Sequence, residues 1–238
     1  MKDMKRNLIT ALLLAVASIV MAQPEAGTFS IIPRIGVAFS TLTKDMIYAT
    51  SENGGTDLSS KWKAGMVAGV DFDYQVLPKI SVSAGAYYSE QGCKYDSYQT
   101  PDNSISGGSH HIGVSNLQAS LKYINVPIML NMYAAQNFAV KLGVQFGFNL
   151  DATTEMTETS FTINDDKTTS YGKPVTTKID MNARSFEFAI PLGVSYEYMN
   201  VIVDARYNLG LTPIVKYAGS YSPQNNVITI SAGYRFTL

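Results

Sequence analysis

The sequence is short of cysteine, of net charge and of long apolar runs. Its one cysteine, Cys93, cannot form an intramolecular disulfide, so no disulfide framework holds the fold together. Lys and Arg number 18 and Asp and Glu 19, and this balance gives no electrostatic reason to expect nucleic acid as a partner. After residue 22 no window approaches the roughly 18 apolar residues of a transmembrane helix. Helix-favouring stretches rich in Ala, Leu and Glu are also missing there, which favours an all-β fold.

The N-terminus has the three parts of a secretory signal peptide. Three basic residues precede an apolar stretch from Leu8 to Met21, and Ala22 completes a small-residue cleavage pattern. We therefore predict a signal peptide over 1–22 and an outer-membrane β-barrel domain over 23–238. A membrane-anchoring helix is the alternative, but it would need about 20 apolar residues, more than this run provides.

Apolar and polar residues alternate in eight later segments. Alternation with a period of two predicts β-strands that have one apolar and one polar face. In the last segment Ile228 and Ile230 lie on one face and Thr229 and Ser231 on the other. The predicted strands cover residues 31–40, 64–76, 80–89, 118–133, 138–150, 186–198, 201–211 and 228–238.

The segment 118–133 departs from simple alternation, because its apolar residues change parity near Lys122-Tyr123. Ala119 and Leu121 are odd-numbered, whereas the apolar residues from Ile124 onward are even-numbered. We predict a β-bulge or an ambiguous register at this point.

The connections between the predicted strands alternate in length, which sets the orientation of a barrel. With an even number of strands, both chain ends and all short turns lie on the periplasmic side, and the long loops face outward. The loop 151–183 is rich in Thr, Asp and Lys, and loops this long without structure of their own are usually functional or mobile. Short turns fall at 77–79, 134–137 and 199–200, and long loops at 41–61, 96–117, 151–183 and 212–225.

The composition of the two faces distinguishes a membrane barrel from a soluble one. The polar faces interleave glycine with charges of both signs, which suits a tightly curved polar interior. The other faces consist almost wholly of Val, Ile, Leu, Ala, Phe and Tyr, a patch too large for water but typical of a lipid-facing band. Lipid leaves no sheet edge unpaired. We therefore predict an eight-stranded antiparallel up-and-down transmembrane β-barrel in the cell outer membrane, surrounded by its lipid.

Seven charged residues are predicted to point into this barrel. An eight-stranded barrel is just wide enough for side chains to fill it. Because unpaired buried charges are costly, we predict a structural network of opposite charges that plugs the lumen. A narrow ion or solute path through the same residues is the alternative. The residues are Arg34, Asp71, Lys141, Glu187, Asp204, Arg206 and Arg235.

Ser109-His110-His111 is the one place where a potential nucleophile adjoins histidine. A lipid-modifying enzyme at the barrel rim, or a metal site at the histidine pair, would use such residues, but this spacing is diagnostic of neither. A Gly-Gly-Ser-His-His run in a long loop instead predicts a solvated, flexible tip. We therefore predict no catalytic site, no metal site and no cofactor.

Four short motifs resemble the PorT-like outer-membrane β-barrel family, a family of small porin-like barrels. They are KYINVPIML at 122–130, FAIPLG at 188–193, DARYNLGL at 204–211 and AGYRF at 232–236, and the likeness spans residues 29–238. The resemblance implies an eight-stranded barrel that the outer-membrane assembly machinery inserts through an aromatic C-terminal strand. This chain departs from that pattern, because it ends in Leu238 with Phe236 two residues inside. The family's name-giving member is tied to protein secretion, a role that these motifs do not transfer.

The leading prediction is thus a non-enzymatic outer-membrane barrel with a structural or interaction role. Surface or secretion proteins are its candidate partners, through the loops 96–117 and 151–183. A small channel or solute-binding pore is the second hypothesis, and a rim enzyme that acts on outer-membrane lipids is the third.

Overall fold

A computed structural model describes residues 25–43, 47–51, 54–102, 109–164, 166–216 and 223–238. The predicted signal peptide over 1–22 lies outside the described residues. Within these ranges no helix is long and apolar enough to cross a membrane.

The regular structure of the described residues consists of antiparallel β-strands. In chain order they are β1 (Phe29–Leu42), β2 (Ile47–Ser51), β3 (Gly54–Leu58), β4 (Lys61–Leu77), β5 (Ile80–Lys94), β6 (Tyr98–Pro101), β7 (Ser109–Ala135), β8 (Phe138–Ile163), β9 (Thr169–Tyr171), β10 (Val175–Asp180), β11 (Phe186–Tyr198), β12 (Val201–Pro213), β13 (Gln224–Tyr234) and β14 (Phe236–Thr237).

Eight of these strands close into a ring. The order around it is β8, β11, β12, β13, β1, β4, β5 and β7, and β7 pairs with β8 to complete the circle. The first and last ring strands meet at a seam where Arg34 of β1 lies opposite Gly233 of β13, and β14 extends this seam by pairing Thr237 with Ser30. The structure confirms the predicted eight-stranded antiparallel barrel.

Burial alternates along every ring strand, as the period-two pattern predicts. Polar residues and glycines turn inward, whereas large apolar side chains cover the outer wall and stay exposed. Ile35, Leu150 and Val203 are each more than half exposed on that wall. Such a surface is stable only where lipid replaces water around the ring.

Strands β7 and β8 continue well beyond the ring. They have 27 and 26 residues, whereas a membrane crossing takes about 9–11. Their extensions, residues 109–118 and 153–163, form a sheet with β6 on one side and with β9 and β10 on the other. This protruding sheet replaces most of the predicted loops 96–117 and 151–183, so their interpretation as segments without secondary structure was wrong. Both faces are rich in Thr and Ser, so no apolar alternation marked these strands.

The predicted irregularity near Lys122-Tyr123 exists, but it falls on the neighbouring strand. Lys122 lies opposite Asp151 and Tyr123 opposite Asn149, so Leu150 of β8 is the extra residue. The inward positions of β8 therefore change parity there.

Within the predicted segment 118–133, strand β7 itself keeps one parity, and the predicted change along it was wrong. Leu117, Ala119, Leu121 and Tyr123 are all buried on the same inward face as Asn125 below them. Along this strand the interior of the barrel changes from polar to apolar toward the protruding sheet.

Candidate functional site

Five charged side chains meet in the middle of the lumen and form the central ion cluster. Arg34 Nε donates to Asp71 Oδ2 at 2.8 Å, and Arg206 Nη2 donates to the same oxygen at 2.9 Å. Arg206 Nε and Lys141 Nζ donate to the two carboxylate oxygens of Asp204, each at 2.6 Å. Arg34 Nη1 lies 3.6 Å from Asp204. The cluster ties β1, β4, β8 and β12 together across the lumen.

A second group, the periplasmic ion cluster, lies near the short turns. Arg235 Nη1 donates to Asp73 Oδ2 at 2.9 Å, and Arg235 Nε donates to Glu197 Oε1 at 2.9 Å. The remaining Asp73 oxygen accepts from Ser81 at 2.8 Å and from Asn131 at 3.0 Å. One cation and two anions give this cluster a formal charge opposite in sign to that of the central ion cluster, where three cations face two anions.

Glu187 does not join either cluster. It is buried on β11 and hydrogen-bonds with Tyr123 and Asn225. No ion pair between described residues includes it. Of the seven lumen charges that the sequence predicts, the structure brings five together in the central ion cluster, places Arg235 in the periplasmic one and leaves Glu187 apart. The predicted set omitted Asp73 and Glu197, although the parity of their strands already placed both on an inward face.

The end of the lumen next to the protruding sheet is closed by apolar side chains, the apolar cap. Sequence reasoning missed it, because it took every inward position to be polar. The parity of β7 was the available signal, since Ala119 and Leu121 continue the inward row. The buried members are Leu42, Leu58, Cys93, Tyr95, Leu117, Ala119, Leu121, Tyr123, Ala152 and Ile214.

Two small cavities lie among the described residues of the lumen. A cavity of about 20 Å³ lies beside Arg206 and Tyr87, and one of about 10 Å³ lies between the two ion clusters. These volumes count the space that the centre of a water molecule can occupy, and a cavity needs roughly 10–15 Å³ of such space to hold one water molecule. The guanidinium of Arg206 also packs over the Tyr87 ring, 5.5 Å from its centroid. These gaps have room for single waters and no room for a hydrated ion.

Ser109-His110-His111 lies at the start of β7, so its prediction as a solvated, flexible loop tip was wrong. His111 is buried, and its ring stacks on Phe161 with centroids 5.0 Å apart. His110 Nδ1 lies 2.9 Å from the Thr162 hydroxyl. Within the described ranges no three His, Cys, Asp or Glu side chains come together as metal ligands.

The protruding sheet carries a groove of about 300 Å³. Its floor is Gly113 of β7, and Phe161 and Tyr171 stand at its wall. The residues that line it are uncharged, and they come from 97–99, β7, β8 and β9. All of them lie in the two segments that the sequence predicts as loops.

Comparison with protein families gives one match that covers most of the chain. A family model described as "Outer membrane protein beta-barrel domain" matches residues 21–216. No curated protein gives a significant match.

Solved outer-membrane barrels are similar at low sequence identity. The attachment invasion locus protein Ail of Yersinia pestis, solved with the heparin analogue sucrose octasulfate, is 14% identical with a TM-score of 0.41, and the match covers 88% of this chain and 99% of Ail. E. coli outer membrane protein W is 16% identical with a TM-score of 0.37, covering 90% of this chain and 100% of that one. Neisserial surface protein A is 11% identical with a TM-score of 0.40, covering 87% and 97%.

Proposed function

Because the chain belongs to the outer membrane protein β-barrel domain family and lies in the cell outer membrane, we propose that it is a non-enzymatic, non-conducting anchor. In this proposal the barrel holds the protruding sheet outside the cell as an interaction surface. The filled lumen is the observation that carries the proposal. The signal peptide over 1–22, insertion by the assembly machinery and the finer PorT-like assignment belong to the same proposal and rest on the sequence motifs alone.

Three successive layers would obstruct any path through the lumen. A solute from the periplasm meets the periplasmic ion cluster, then the central ion cluster, and finally the apolar cap. Opening the two ion clusters would separate buried opposite charges, which costs several kcal/mol for each uncompensated ion. The cap would add the exposure of buried apolar side chains to water. The three layers together support a closed lumen.

The length of β7 and β8 supports the interaction role. A crossing takes about 9–11 residues, so more than half of each strand lies outside the lipid. In outer-membrane barrels the short turns lie on the periplasmic side, and by this rule the protruding sheet would lie on the cell exterior. A rigid sheet costs less conformational entropy on binding than a flexible loop does. A partner of the cell surface would therefore meet a preformed site.

Planar-bilayer conductance of the purified full-length protein tests the closed lumen. We expect no steady current from the inserted wild-type barrel. A double variant, Asp204→Asn with Arg206→Gln, serves as the comparison because it alters the middle layer alone. Insertion is verified in the same lipid by protection of the barrel from protease. A stable wild-type current that changes in the double variant would overturn the proposal and make the protein a small channel.

A further inference from the structure

The groove on the protruding sheet has the dimensions and the lining of a ligand site. Ligand pockets usually measure about 300–1,000 Å³ and combine aromatic walls with a few polar groups, and this groove has a volume of about 300 Å³. Gln99, Gly113 and Thr159 lie side by side across β6, β7 and β8 and form its base. Ser115 borders the same groove.

Glycine at position 113 keeps the floor of the groove low. A Cβ added there would meet no atom closer than the Thr159 carbonyl oxygen at 3.6 Å and Phe161 Cε1 at 3.7 Å. The backbone therefore accepts a side chain at this position without strain. A longer side chain at this position would extend over the floor of the groove.

A row of three rings across the sheet forms the wall. His111 of β7 lies opposite Phe161 of β8, which lies opposite Tyr171 of β9. The Phe161 ring stacks on His111 at 5.0 Å and lies 5.9 Å from the Tyr171 ring. His111 is buried, whereas Tyr171 is 74% exposed. The row thus ends in an open ring face at the edge of the groove.

The polar groups beside these rings restrict the kind of ligand. Ser and Thr hydroxyls and the Gln99 amide can each donate and accept hydrogen bonds, as sugar hydroxyls do. The C–H bonds on one face of a pyranose ring pack well against an aromatic ring. All of the lining residues are uncharged, whereas sulfate, phosphate and carboxylate groups are usually bound by Arg or Lys. The chemistry therefore favours a neutral sugar over an anionic one.

We propose that this groove binds one or two pyranose residues of a neutral glycan on the cell exterior. The inference rests on the proposed function, because it names the partner class of the protruding sheet. The open face of Tyr171 would stack on a sugar ring beside Phe161, and Gln99, Ser115 and Thr159 would bond to the sugar hydroxyls. The rest of the glycan chain extends into solvent through the open side of the groove.

The experiment measures binding of the full-length protein in lipid nanodiscs to an array of glycans. The array holds neutral chains of hexoses and N-acetylhexosamines, sulfated chains and uronic-acid chains. Alkyl glycoside detergents are avoided, because their sugar headgroups would compete for the groove. We expect binding to one or more neutral chains and none to the sulfated or uronic-acid chains.

Two variants remove the groove by different means. Tyr171→Ala deletes the exposed ring and Gly113→Gln fills the floor, and we expect each to weaken binding of the neutral chain by about tenfold or more, as loss of a stacking ring usually does. Tyr171→Phe keeps the ring and should bind like the wild type. Val175→Ala removes another exposed apolar side chain of the same sheet outside the groove, and it should leave binding unchanged.

Three results would overturn the inference: no neutral chain bound by the wild type, binding confined to anionic chains, or binding unchanged in both groove variants. The native mobility of each variant barrel in unheated gels controls for misfolding. Failure of the glycan experiment leaves the closed lumen untouched. Conversely, a bilayer current would overturn the proposed anchor even if the glycan binds.

Discussion

Asp204 accepts two charged donors and faces a third, which makes it central to the lumen network. Its side chain has no exposed surface, and Lys141 and Arg206 each donate to it at 2.6 Å. A buried carboxylate in this position is stabilised only while its partners are present, and the partners depend equally on it. Removing one charge therefore leaves the others without compensation.

We expect Asp204→Asn to lower the free energy of unfolding by about 3–5 kcal/mol, because it leaves an excess of buried positive charge. Urea unfolding of the barrel in lipid measures this, with the fluorescence of Trp62, the single tryptophan, as the signal. Asp96→Asn is the matched control, since its ion pair with Lys61 at 2.5 Å lies at the solvent-exposed start of β4, next to the protruding sheet. Surface pairs contribute little. Equal effects of the two variants would show that the central ion cluster does not stabilise the barrel.

The sequence places the lumen charges well but does not determine their partners. Parity along a strand decides whether Arg34 or Asp71 faces inward, and it requires nothing but the period of two. Which charges meet depends on the height of each residue along the barrel axis, and hence on the register between strands. Glu187 shows the limit, because its parity is inward while its height separates it from every cation of the two ion clusters.

Strands β7 and β8 belong to two environments. Their lower parts are ring strands, and their upper parts pair with β6, β9 and β10 in the protruding sheet. Hydrophobic alternation reveals only the lower parts, since a strand in water with two polar faces has no such pattern. The strand boundaries at the short turns were predictable, whereas Ser109 and Ile163, where β7 begins and β8 ends, were not.

We expect the barrel to fold without the outer part of the protruding sheet, because the ring strands pair without it. The variant replaces residues 96–116 and 159–174 each by Asn-Gly, which suits a two-residue hairpin turn. The first replacement joins Tyr95 to Leu117, whose backbones are hydrogen-bonded, and the second joins Glu158 to Val175, which lie opposite each other. The folded fraction is read from the faster gel mobility of the unheated barrel.

Gly36→Ala is the contrasting variant for the measurement of the folded fraction, because it changes the ring and leaves the protruding sheet intact. An added Cβ at Gly36 would lie 2.1 Å from the Ile230 carbonyl oxygen across the seam of the ring. We expect this single methyl group to lower the folded fraction more than the removal of the outer part of the protruding sheet. The opposite order would show that the sheet takes part in forming the barrel.

The lumen as a complete interior is layered, with two ion clusters below and the apolar cap above. The inward polar residues of the sequence predict a plugged polar interior, which accounts for the lower layers. The sequence does not predict the cap, because apolar residues on the inward face look like a change of parity when the interior is taken to be polar throughout. Ala119 and Leu121 were interpreted in this way.

The reactivity of Cys93 measures how accessible the apolar cap is, because this residue is fully buried within the cap. We expect the thiol to resist a maleimide reagent in the folded barrel and to react once urea unfolds the protein, since buried cysteines are inert. A Val175→Cys substitution in a Cys93→Ser background is the control, as Val175 is exposed on the protruding sheet and should react at once. Rapid labelling of Cys93 in the folded barrel would mean that water reaches the upper lumen.

The seam between β1 and β13 has a consequence for the kinetics of folding. Every other pair in the ring joins successive ring strands, but Arg34 finds its partner at Gly233. Pairings this distant in sequence are slow, because the chain between them must first be ordered. Until the seam forms, both edge strands expose unpaired backbone groups that lipid cannot satisfy. Closure of the ring is therefore the step after which the protein is stably inserted in the membrane. A delay in closure prolongs the state in which the sheet is open and prone to aggregation.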